Sequence, residues 1–118
     1  MRNRIINALI ELGLPANVKG FKYITEIVNE YAKDESLMSG KLEVLYYLIG
    51  KKEGVSSQVI ERNIRTSFGI VYENGNPDAV KKYLPFRNRT NGNSLATLYL
   101  RICQEMDYEN TERAGKQE

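Results

Sequence analysis

The chain has 118 residues and a net charge of +2, is 42% apolar and 27% charged, and contains one cysteine and no histidine. That length suits one domain with a single buried core that needs neither disulfide nor metal. The lone Cys103 and the missing histidine exclude catalytic triads, Cys-His dyads, intrachain disulfides and Cys/His metal clusters. No GxGxxG or Walker-type phosphate loop is present, so no enzyme, cofactor or metal site is expected. No apolar run approaches the roughly 20 residues of a membrane span. The first twelve residues read as an amphipathic helix and not as a secretory leader, which predicts a cytoplasmic protein with no membrane partner.

Apolar residues recur at helical spacing along almost the whole chain and never at a sustained period of two. The expectation is an all-α, compact six-helix domain over 1–107, followed by a charged, disordered tail over 108–118. The first helix spans about Arg2 to Leu12, with Ile5, Ile6, Leu9 and Ile10 inward; Gly13 caps it and Pro15 prevents continuation. A second runs from Lys19 or Phe21 to Ala32 on the stripe Phe21, Ile24, Ile27, Val28 and Tyr31. "KDESLMSG" connects it, with a helical turn around Leu37 and Met38, to a third helix over about Lys41–Lys52 that aligns Leu42, Leu45, Leu48 and Ile49.

The fourth helix runs from Ser56 or Ser57 to about Glu73. "NGNP" then ends it and starts a fifth, with Asn76 as N-cap, Pro77 at the first helical position and Pro85 as terminator. "FRNRTNGN" reads as a polar loop, and the sixth helix covers about Ser94 to Met106 on Leu95, Leu98, Ile102 and Met106. The tyrosines at 23, 31, 46, 47, 72, 83 and 99 fall at or beside core positions. Gly69, inside the fourth helix, is assigned to close packing, and Cys103 to a small buried apolar role.

Charge is unevenly placed. Between Lys41 and Arg101 ten basic residues face five acidic ones, a local excess of +5, which is compatible with an anionic partner. Within that region "IGKKEGVSSQVIERNI" has the punctuation of a helix-turn-helix. Gly50 stands where two helices approach closely, and Gly54 stands where the chain needs a left-handed turn. Ser56 can cap the next helix, and Val55 can pack on Ile60 as a hydrophobic staple.

With Val59, Ile60, Ile64, Phe68 and Val71 committed to the core, Ser57, Gln58, Glu61, Arg62 and Arg65 lie outward near the helix start. In a recognition helix that part enters the major groove. Arginine suits guanine O6 and N7, Gln58 suits adenine or a phosphate, and Glu61 suits cytosine N4 or the holding of Arg65. On an ordinary solvated face the same Glu61–Arg65 pair contributes only about 0.2 to 0.5 kcal/mol. The spacing of Gly50, Gly54, Val55, Ser56 and Ile60 is what favours the helix-turn-helix.

Three segments also resemble a known family. "LGLPANVKGFKYITEIV" (Leu12 to Val28), "VIERNIR" and "NGNPDAV" occur in the order found in the C-terminal DNA-binding effector domain of the stage-zero sporulation response regulator, and the likeness runs from about Ile5 to Met106. The resemblance implies a six-helix fold with an embedded helix-turn-helix that binds repeated promoter boxes in double-stranded DNA. It implies base contacts by Glu61, Arg62 and Arg65, to which the outward position of Gln58 adds a fourth candidate, and phosphate contacts by Ser56, Ser57 and the nearby basic groups Lys51, Lys52, Arg87 and Arg89. Further implications are homodimeric pairing on tandem DNA sites through Leu95, Tyr99, Leu100 and Cys103, and contact with RNA polymerase sigma factor near Gly75 to Phe86.

Two departures from the family pattern stand in the fourth helix. Gln58, Val59 and Ile60 replace a stretch that often carries another arginine, and Thr66 stands where histidine is common. No receiver domain is expected ahead of the first helix. The alternative reading is therefore a receiverless interaction module that pairs with another regulator or with polymerase and binds no specific DNA.

Overall fold

The computed structural model describes residues 1–117, with side chains described through residue 115. Six α-helices follow one another: α1 (Arg2–Leu12), α2 (Lys19–Lys33), α3 (Leu42–Glu53), α4 (Ser57–Asn74), α5 (Pro77–Tyr83) and α6 (Asn91–Gln117). A 3-10 turn at Glu35–Ser39 joins α2 to α3, where the sequence predicts a helical turn. No strand occurs among the described residues, and none of their helices is long and apolar enough to cross a membrane.

The core forms around α2, which packs against α1, α4 and α6. Ile24, Ile27 and Val28 from α2 meet Ile5, Leu9 and Leu12 of α1, Ile60 and Ile64 of α4, and Leu95, Leu98 and Ile102 of α6 in one cluster. Gly20 sets how near α2 comes to α4: a Cβ there would lie 1.9 Å from Ser67 Oγ and 2.5 Å from the Asn63 carbonyl oxygen. Close approach therefore depends on a residue with no side chain.

Several expectations need correction. Ile10, Tyr47 and Leu48 are exposed, because neighbouring elements cover a narrower arc of α1 and α3 than the apolar pattern suggests. The sixth helix begins at Asn91 instead of Ser94. Thr90 precedes it, and its hydroxyl accepts from the Asn93 N–H at 3.2 Å, so "NGN" forms the first turn of the helix and not a loop. At the other end, α6 runs on as helix through the charged stretch as far as Gln117, and residue 118, the end of the expected tail, lies outside the described residues.

Polar contacts accompany that continuation. Arg4 of α1 pairs with Glu109 and lies 3.9 Å from Glu105, and the Tyr108 hydroxyl donates to Glu112 at 2.9 Å. On the core side, Leu95 and Tyr99, expected to form a pairing surface, are only 0% and 3% exposed. Four helices surround α6 and use both residues as their own core.

Candidate nucleic-acid interface

The turn between α3 and α4 is built from small and capping residues. Gly54 ends α3 in the left-handed region, at φ 73° and ψ 29°, where an L side chain is strained. The Val55 N–H donates back to the Gly50 carbonyl at 2.9 Å. Gly50 itself is buried, and a Cβ on it would stand 2.6 Å from the Val55 carbonyl oxygen. Ser56 then adopts extended backbone, and its hydroxyl accepts from the Val59 N–H at 3.3 Å, satisfying one of the open donors at the start of α4.

Buried Ile60, Ile64, Ser67, Phe68 and Val71 hold the inner face of α4. On the outer face Gln58, Arg62 and Arg65 are exposed, and with Gly69 they fall within about 60° of arc at 3.6 residues per turn. The half-buried Glu61 adjoins that stripe and accepts from Arg65 at 2.6 Å. Arg62 makes no ion pair among the described residues. Gly69 is not a packing glycine, contrary to expectation: a Cβ there would meet nothing within 4 Å.

The groups expected on phosphates are distributed more widely. Ser56, Lys51 and Lys52 are exposed around the turn, Ser57 is half-buried, and Lys52 lies 3.9 Å from Glu26. Arg87 and Arg89 stand on the loop before α6, which Asn93 braces by donating to the carbonyl oxygen of Asn88 at 2.8 Å and of Arg87 at 3.4 Å. Asn88 turns this loop with φ 56°, a conformation asparagine tolerates better than most residues.

Arg89 carries its guanidinium over the Tyr72 ring, 4.4 Å from the centroid. It shares a groove of about 360 Å³ with Glu61, Arg65, Tyr46 and Asn91. The loop is thus brought beside the outer face of α4, although 24 residues separate Arg65 from Arg89 in the chain. Lys51 and Lys52 lie at the other end of the turn, and Lys52 borders a different groove with Glu26 and Leu48.

Asn91 was not legible as a site residue. Its Nδ2 donates to the Tyr46 hydroxyl and to the Glu61 carbonyl oxygen, each at 3.1 Å. Burial pushes the Tyr46 hydroxyl above its ordinary pKa, against the effect of the Asn91 hydrogen bond. Burial also raises Tyr72, whose hydroxyl is 2.6 Å from Ser94 Oγ, with the Ser94 bond and Arg89 pulling the other way. Both hydroxyls are therefore neutral hydrogen-bonding groups near neutral pH.

A helix-turn-helix with a cationic outer stripe and a basic loop beside it agrees with the family comparison. The family model described as sporulation initiation factor Spo0A C terminal matches residues 5–108. The chain belongs to the Spo0A C-terminal family. That family is a DNA-binding regulatory one, so this Spo0A C-terminal domain is a DNA-binding effector domain of the sporulation-initiation type. Its match reaches every helix described above, α1 from residue 5 and α6 as far as residue 108.

Proposed function

We propose that this domain regulates transcription by reading a short promoter box in the major groove of double-stranded DNA with α4. The observation that carries the reading is the exposed stripe of Gln58, Arg62 and Arg65 directly after a left-handed glycine turn. Arg62 and Arg65 present guanidinium forks to guanine. Gln58 reads adenine, and Glu61 accepts from cytosine or fixes Arg65 through its 2.6 Å ion pair. Ser56, Ser57, Lys51, Lys52, Arg87 and Arg89 neutralise or bond phosphates on either side and set the register.

Two partner assignments complete the proposal. Leu100, 48% exposed, and the half-buried Cys103 form the surface through which two copies pair on tandem sites; Leu95 and Tyr99 belong to the core. The segment from Gly75 to Phe86 contacts RNA polymerase sigma factor, a reading supported by a groove of about 450 Å³ that includes Val80, Leu84 and an 82% exposed Phe86.

Salt dependence tests the DNA reading against the interaction-module alternative. Affinity for a duplex selected from a random pool should fall with a log–log slope of about −0.9 per phosphate neutralised. A slope near zero, or a pool that yields no enriched sequence, contradicts the reading.

A further inference from the structure

We propose that Asn91 is a positioning residue for DNA recognition, fixing the rotation of α4 so that its outer stripe meets the bases in one register. The inference rests on the base-reading function proposed for α4. One side-chain amide at the start of α6 gives both its hydrogens away, to the Tyr46 hydroxyl on α3 and to the Glu61 main-chain carbonyl on α4. It therefore ties together the two helices of the helix-turn-helix, directly behind the Glu61–Arg65 pair.

Glu61 is a telling point of attachment. Its side chain holds Arg65 on the outer face, while its carbonyl accepts from Asn91. A rotation of α4 about its axis would move both together. A second tie lies one turn further along α6, where buried Ser94 meets the Tyr72 hydroxyl at 2.6 Å. Glu61 and Tyr72 are 11 residues apart, about 16 Å along α4. Two attachments that far apart resist both rotation and tilt, which one hydrophobic face of α4 sliding over a core of Ile and Leu side chains resists less well.

Base readout has strict geometric needs. A bidentate arginine must present two N–H groups in the plane of a guanine edge, and displacement of about 1 Å removes that match while leaving a phosphate contact workable. Loss of the Asn91 tie should thus reduce discrimination between sequences more than general affinity for DNA.

The test compares wild type with Asn91→Asp, which keeps the shape and loses both donors, and with Asn91→Ala. Each is titrated against a selected duplex and a scrambled duplex at fixed salt, below its measured melting temperature. The expected result is a fall of about tenfold in the ratio of the two affinities in both variants, with scrambled-duplex affinity and salt slope kept in Asn91→Ala, while the carboxylate of Asn91→Asp, in the groove of Arg65 and Arg89, weakens both duplexes besides. Amide exchange is followed on the protein alone, where protection of Arg65, whose N–H faces the Glu61 carbonyl in the helix ladder, should drop in both variants relative to α2 amides. An unchanged affinity ratio in variants that remain folded overturns the proposal, as does unchanged exchange of the α4 amides. If wild type itself binds both duplexes equally, base reading by α4 fails, and the exchange data still decide whether Asn91 holds the helix.

Discussion

Gly54 and Gly50 occupy the same turn for different reasons, and substitution separates them. At Gly54 there is room, since nothing lies within 4 Å of an added Cβ, but φ is +73°. Gly54→Val should cost about 1 to 3 kcal/mol through backbone strain alone. Gly50 has an ordinary backbone but no room, with the Val55 carbonyl oxygen 2.6 Å from a Cβ. Gly50→Ala should cost about the same through overpacking. Urea denaturation midpoints measure both, and a Gly54→Val variant as stable as wild type would show that the turn relaxes without a left-handed residue. Both glycines were readable in advance because a turn between two periodic helices demands them. Gly20 was not, since its reason for being glycine is Ser67, 47 positions away in sequence.

Within α4, Gly69 is a weak point with no packing function. Replacing it with alanine should stabilise the fold by about 1 kcal/mol, the usual helix-propensity difference. Thermal melting checks this, and a loss of stability would indicate a contact at position 69 that the fold does not show. For α6, two leucines five residues apart should behave oppositely. Leu95→Ala should destabilise the monomer by about 2 to 5 kcal/mol because the side chain is fully buried. Leu100→Glu should leave folding intact and abolish only cooperativity between two adjacent DNA sites. Gel shifts with one-site and two-site duplexes read this out; cooperativity that survives in Leu100→Glu moves pairing to another surface.

How far each helix was legible follows from what defines its ends and faces. Gly13, Gly54, Ser56, Asn76 and Pro77 act on their immediate neighbours, so the bounds of α1, α4 and α5 could be read locally. The start of α6 could not, because "NGN" has loop composition and becomes helical through the Thr90 cap. Faces were harder than bounds. Periodicity locates an apolar stripe but not its width, so Tyr47 and Leu48 read as inward although both are exposed, and the pairing surface implied for Tyr99 conflicts with its place among the core tyrosines, where it is buried. Of the interface, the stripe on α4 was visible from spacing. Asn91 was not, because its partners at positions 46 and 61 meet it only in the folded chain.

At the scale of the molecule, α6 makes the domain elongated, 52 Å by 31 Å by 26 Å, and Arg4 of α1 forms an ion pair with Glu109 in the far half of α6. The Arg4 hydrogen bond, followed by its charge, holds the Glu109 carboxyl below the usual carboxylate pKa. A carboxyl depressed in the folded state adds stability above its unfolded pKa, about 4.3, and that contribution disappears as pH falls through the folded value. The stability difference between wild type and Glu109→Gln should therefore be present at neutral pH and close in acid. Denaturant midpoints from pH 7 to pH 2 measure it. A difference that stays constant across that range means the pair is open in solution.

The account as a whole stands on α4 reading bases, and Arg62 is its most exposed claim, since this side chain has no ion pair among the described residues to give it another purpose. The measurement is the affinity of wild type and Arg62→Ala for a selected duplex and for every single base-pair variant of it at one salt concentration. The account predicts that Arg62→Ala loses about 1 to 3 kcal/mol on the selected duplex and becomes indifferent at one or two adjacent positions while keeping its preferences elsewhere. An equal loss on every duplex would make Arg62 a phosphate contact, and no loss at all would contradict the assignment of α4 as the reading helix.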